Sequence, residues 1–151
     1  MRLSLLALIL ISLFSEDLNA KNIHYITVSD VNVWEEIVLL CREKKVPLFV
    51  TYTNEAKIPQ SVKDIQNNTK AVKFANKNYV SVFINDYSQL GETFKTLFQL
   101  SDDTYHMVIN PEEELLLKQK KLDFEFFREG IRRFEQFETI MLSHYNRTLT
   151  K

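Results

Sequence analysis

The chain has 151 residues, 45% of them hydrophobic, with 11 Phe and 6 Tyr, enough for one packed core and too little for two domains of ordinary size. Its 19 basic and 20 acidic residues balance to a net charge of -1, so it lacks the positive field that draws nucleic acid. A single cysteine, Cys41, excludes an intramolecular disulfide.

Met1-Arg2 precedes an apolar run from Leu3 to Phe14, polar Ser15-Glu16-Asp17 and then Leu18-Asn19-Ala20. A basic start, a short apolar core and a small residue at the exit make a secretory signal layout. The run is shorter than the roughly 20 apolar residues that span a bilayer. Residues 1–20 are therefore expected to form a signal peptide and residues 21–151 one exported domain, periplasmic or secreted, with no stable membrane span after cleavage. An uncleaved N-terminal membrane anchor is the alternative. In an oxidising compartment a lone cysteine leaves stability to packing.

Ile23 to Val28 reads as a short strand. After the candidate N-cap Asp30, Trp34, Ile37, Val38 and Cys41 fall at i, i+3, i+4 and i+7, the stripe of a helix whose buried face includes the thiol. Pro47 to Thr53 is nearly all apolar or β-branched, as in a strand covered on both faces. A helix follows, with Pro59 in its first turn, where the missing N–H costs nothing, and with Val62, Ile65 and Val72 carrying its inner side to about Asn76. Tyr79 to Asn85 is the next strand, and Leu90, Phe94, Leu97 and Phe98 mark a short helix. Tyr105 to Asn110 and Leu115 to Lys118 form a hairpin about Pro111-Glu112-Glu113. The last helix runs from about Asp123 into the Tyr145 region, with Phe124, Phe127, Ile131 and Phe134 inward. Gly130, inside it, costs about 1 kcal/mol relative to alanine and has no explanation in the sequence. The order β-α-β-α-β-α-β-β-α predicts an α/β domain, a mixed sheet with helices on both faces.

At this point the chain resembles the thioredoxin superfamily over roughly Val31 to Leu142. The central strand Pro47 to Tyr52 and the corner Asn54-Glu55 lead into Lys57-Ile58-Pro59-Gln60, which falls on that family's Cys-Gly-Pro-Cys tetrapeptide. The proline is kept. Lys57 stands where the resemblance implies the attacking thiolate and Gln60 where it implies the resolving cysteine, and neither can exchange thiols. Thr104-Tyr105-His106 resembles the family's segment around a cis-proline, with Tyr105 at the proline position. A cis bond before a non-proline residue costs about 3 kcal/mol, so a trans bond is expected there.

The resemblance implies a redox-inactive protein that binds another protein or peptide, or acts like a chaperone, through a degenerate groove around Lys57, Ile58, Pro59, Gln60, Tyr105 and His106, with no cofactor. A thiol enzyme using Cys41 and a structural subunit of an envelope complex are the alternatives. His106 is expected at the edge of the groove. His24, His106 and His144 show no metal-ligand spacing. The runs Glu112–Glu114 and Lys118–Lys121 read as solvated hairpin and edge residues. Asn67-Asn68-Thr69 and Asn146-Arg147-Thr148 match glycosylation acceptors. Phe126 and Phe137, off the main helical stripe, are expected to add an exposed apolar patch.

Overall fold

A computed structural model describes residues 20–149; the signal-like segment ahead of Ala20 lies outside the described residues. Along the chain come β1 (Tyr25–Thr27), α1 (Val31–Lys44), β2 (Leu48–Thr53), α2 (Gln60–Gln66), α3 (Thr69–Asn78), β3 (Val80–Asn85), α4 (Gln89–Leu97), β4 (Tyr105–Ile109), β5 (Leu115–Gln119) and α5 (Phe124–Leu149). The five strands form one sheet in the order β1-β3-β2-β4-β5. β3 runs parallel to both β1 and β2, while β4 is antiparallel to β2 and to β5. The mixed sheet expected from the element order is thus present, with β2 at its centre and all six β2 residues buried.

Side-chain alternation along the strands divides the interior in two. Leu48, Val50 and Tyr52 point to one face, where they meet Trp34, Ile37, Val38 and Cys41 of α1 and Leu90 and Phe94 of α4. Phe49 points to the other and packs with Val62 and Ile65 of α2, Ala71, Val72 and Ala75 of α3, and Phe126 and Phe127 of α5. Asp30 begins α1 as expected: its carboxylate accepts the N–H groups of Asn32 and Val33, at 2.8 and 3.2 Å, a cap worth about 1 kcal/mol.

The helix expected to run unbroken from Pro59 to Asn76 is two helices. Asn68 turns its side chain back to accept the N–H of Ala71 at 3.1 Å and takes an extended backbone conformation as the N-cap of α3. Its amide competes with the helical ladder for backbone partners, so Asn67-Asn68 makes a corner. The apolar stripe resumes beyond it because α2 and α3 both lie over the Phe49 face.

Gly130 acquires a reason from the packing. A Cβ there would sit 2.3 Å from the hydroxyl of Tyr79 and 2.7 Å from a methyl of Val108. The bare backbone lets the buried Tyr79 hydroxyl donate to the carbonyl of Phe127 at 2.6 Å. Burial dominates this phenol and pushes its pKa above the ordinary tyrosine range. Phe126, expected to be exposed, is 2% exposed, because its ring fits between those of Phe49 and His106. Phe137 is half-buried. The exposed apolar side chains of α5 come later, at Ile140, Met141, Leu142, Tyr145 and Leu149.

Candidate functional site

The segment after β2 leaves the sheet at Thr53, whose hydroxyl accepts the N–H of Glu55 at 3.1 Å and bonds the hydroxyl of Thr104 at 2.8 Å. Pro59 does not lie within the first helical turn as expected. It is the N-cap of α2, with φ near -57° and ψ near 149°, and its carbonyl accepts from Val62 and Lys63. Lys57 therefore stands three residues ahead of Gln60, outside the helix. Lys57, Ile58 and Gln60 are exposed, whereas Pro59 is buried. Ile58, 51% exposed, is an apolar side chain between two polar ones. Gln60 donates its amide to Asp64 one turn on, at 2.6 Å.

Tyr105 and His106 do not line one groove together. As neighbours in β4 they project to opposite faces of the sheet. Tyr105 packs beside the α1 and α4 core, where its ring lies 5.7 and 5.5 Å from the ammonium groups of Lys118 and Lys120. Its hydroxyl bonds that of Ser101 at 2.6 Å, which draws the phenol below its usual pKa. The bond before Tyr105 is trans, as expected, since the described residues contain no cis peptide.

His106 is a core residue with no exposed surface, not the groove-edge residue anticipated. Antiparallel pairing sets it directly against Thr51, whose hydroxyl lies 3.0 Å from Nδ1. The Thr51 hydroxyl also meets that of Tyr25 at 2.9 Å. On the other side of the ring, Nε2 lies 2.9 Å from the hydroxyl of Ser61 in the first turn of α2. Tyr25, Thr51, His106 and Ser61 form a continuous chain of hydrogen bonds. Both ring nitrogens are satisfied in either neutral tautomer, because hydroxyls both donate and accept. Burial brings the imidazole down to a pKa of about 4, so it is neutral at physiological pH. Ser61 is the member that sequence reasoning missed. No spacing rule links it to His106, since only the strand pairing and the seat of α2 bring them together.

Cys41 lies on the opposite face. It has no exposed surface and burial pushes its thiol up to about 12, which leaves essentially no thiolate to react. Among the described residues no cluster of three His, Cys, Asp or Glu side chains could hold a metal ion, and no helix is long and apolar enough to cross a membrane.

No protein-family model matches the sequence, and neither does any curated protein. Among solved structures, the solution structure of a candidate disulphide-isomerase from Bacteroides thetaiotaomicron matches with a TM-score of 0.50 and 13% sequence identity. The match covers 75% of this chain and 96% of that one. At that identity the likeness speaks to architecture alone. With the observed strand order and the helices on both faces, it establishes a thioredoxin-like fold for this chain.

Proposed function

We propose that this chain is an exported thioredoxin-fold protein that binds another protein or peptide through the surface about Lys57, Ile58 and Gln60, and that it performs no thiol-disulfide exchange. One observation carries the reading. The exposed loop ahead of α2 presents lysine and glutamine, while the chain's sole thiol is sealed in the core of the opposite face with its pKa raised to about 12. The contact surface is smaller than the groove the sequence suggested, because Pro59 and His106 are buried and Tyr105 faces the α1 and α4 side. Ile58 is its apolar centre. The export of the mature domain rests on the layout of residues 1–20.

A photo-crosslinking residue at Gln60, introduced in the native host, tests the binding surface. A few discrete adducts, diminished when Ile58 is replaced by serine, support it. Adducts indistinguishable from those of a crosslinker at exposed Lys77 on α3 would overturn it. The absence of redox chemistry is tested separately by insulin reduction in dithiothreitol. Turnover above background that disappears in Cys41→Ser would restore the thiol-enzyme reading.

A further inference from the structure

Helix α5 outruns the domain it packs on. Phe127, Gly130 and Phe134 are buried, and Arg133 donates to the carbonyl of Leu116 at 2.8 Å. The neighbouring Leu115 pairs with Ile109, itself paired with Leu48, so α5 leaves the sheet at the amino end of β2. From Thr139 to Leu149 every residue is exposed, about three turns of helix that stand clear of the body.

These turns keep the apolar stripe of the packed half. Phe127, Phe134 and Met141 recur every seven residues, and Phe137 and Tyr145 fall beside them on the same face, with Leu142 and Leu149 along its border. Met141, Leu142, Tyr145 and Leu149 are 49 to 67% exposed. Side chains of that size leave on the order of 500 Å² of apolar surface per copy, or twice that for a pair, the size at which a specific interface begins. The segment has little else to hold it helical. Thr139, Ser143, His144, Asn146 and Thr148 are weak helix formers, and roughly a dozen residues of lone helix are marginal in water. A covering partner stabilises both the stripe and the helix that carries it.

Charge selects the partner. Glu135 and Glu138 stand at the root of the projecting segment and Arg147 near its tip. A second copy laid antiparallel, with Met141 meeting its own counterpart, sets Phe137 level with Tyr145, Glu135 with Arg147, and Glu138 with His144. Parallel pairing would set both glutamates against their own copies. The antiparallel arrangement also opposes the two helix dipoles, and a single two-fold axis closes it, so it does not propagate into a fibre.

We propose that the chain forms a two-fold dimer through antiparallel pairing of its projecting α5 segments, residues 135–149. The inference is independent of whether the Lys57–Gln60 surface binds anything. That surface follows the carboxyl end of β2, at the other end of the sheet, so the dimer leaves it open on each copy.

The test is sedimentation equilibrium of the full chain, and separately of the chain without residues 1–20, from about 1 μM to about 500 μM. Both should pass from the mass of one chain to that of two and level there. Met141→Glu with Tyr145→Glu, at exposed positions, should weaken association by at least about tenfold while the fluorescence of buried Trp34 stays unchanged. Under mild oxidation Met141→Cys should join two chains through a disulfide and Leu149→Cys should not, because only the residue at the two-fold axis meets its own copy. Any other pattern of crosslinks would overturn the proposal. So would a single-chain mass throughout, a mass that climbs past two chains without levelling, or a dimer undiminished in the double variant. A dimer that needs residues 1–20 would assign the stripe to that apolar segment and overturn it as well.

Discussion

The chain of polar groups beneath α2 and the Tyr52 hydroxyl beside α4 are both attached to β2, one residue apart, and meet opposite fates. Thr51 turns toward the Phe49 face, where Tyr25 and His106 take up its hydroxyl, and Ser61 completes the second ring nitrogen. Tyr52 turns the other way and finds nothing for its hydroxyl. A histidine and a serine 2.9 Å apart resemble catalytic machinery. Yet this imidazole is sealed from solvent and held neutral by burial, and its contacts close a gap in the core. A satisfied buried network has nothing left to offer a ligand, so the histidine and serine here are part of the core.

If the His106 chain is structural, removing its centre should be the most damaging of the changes considered. His106→Ala leaves a cavity and strips Thr51 and Ser61 of a partner, an expected loss of about 3 kcal/mol in urea unfolding. A loss below about 1 kcal/mol, within the range of surface substitutions plus error, would place the imidazole in water.

The same burial sets a pH dependence. The imidazole is pulled from its ordinary 6.5 to about 4 in the folded chain, so between those values the unfolded chain binds a proton that the folded one refuses. Stability therefore falls as pH drops from about 6.5 toward about 4 and this component levels below, a loss on the order of 3 kcal/mol. Glu129, held down to about 2 chiefly by its hydrogen bonds to Arg132 and Arg133, acts with the same sign but only as pH falls through and below 4.5. Comparing unfolding free energies with those of His106→Phe across the upper window isolates the histidine. Parallel curves there would contradict its burial.

Gly130→Ala should cost about 2 kcal/mol despite alanine's better helix propensity, because the added methyl displaces the Tyr79 hydroxyl from Phe127. In a Tyr79→Phe background the penalty should shrink, since the closest clash is with the hydroxyl itself, and a double-mutant cycle reads the difference. The smallest effect belongs to Tyr52→Phe. Removing an unpartnered buried hydroxyl should leave stability unchanged or raise it by up to about 1 kcal/mol, the opposite sign to changes in the His106 chain. A clear loss would mean the hydroxyl is satisfied, and the contrast between the two regions would fail.

Short-range pattern along the chain encodes whatever repeats within a few residues. The Trp34, Ile37, Val38, Cys41 stripe placed α1 and buried its thiol, the apolar run from Leu48 marked the central strand, and Asp30 announced its cap. Element order then limited the sheet to few topologies. Local pattern misled where one signal served two structures: the stripe from Val62 to Val72 crosses a corner at Asn67-Asn68 without interruption, since both helices feed the same core. Phe126 looked superfluous to its helix until Phe49 and His106 came to meet it. The rest came from long-range packing, because it depends on which strands are neighbours. The antiparallel register of β2 with β4 puts Thr51 against His106, the seat of α2 brings Ser61 to the same ring, and strand alternation sends Tyr105 and His106 to opposite faces. The close approach of α5 to Tyr79 makes Gly130 necessary, and the meeting of β2, β3 and α4 leaves the Tyr52 hydroxyl buried and unanswered.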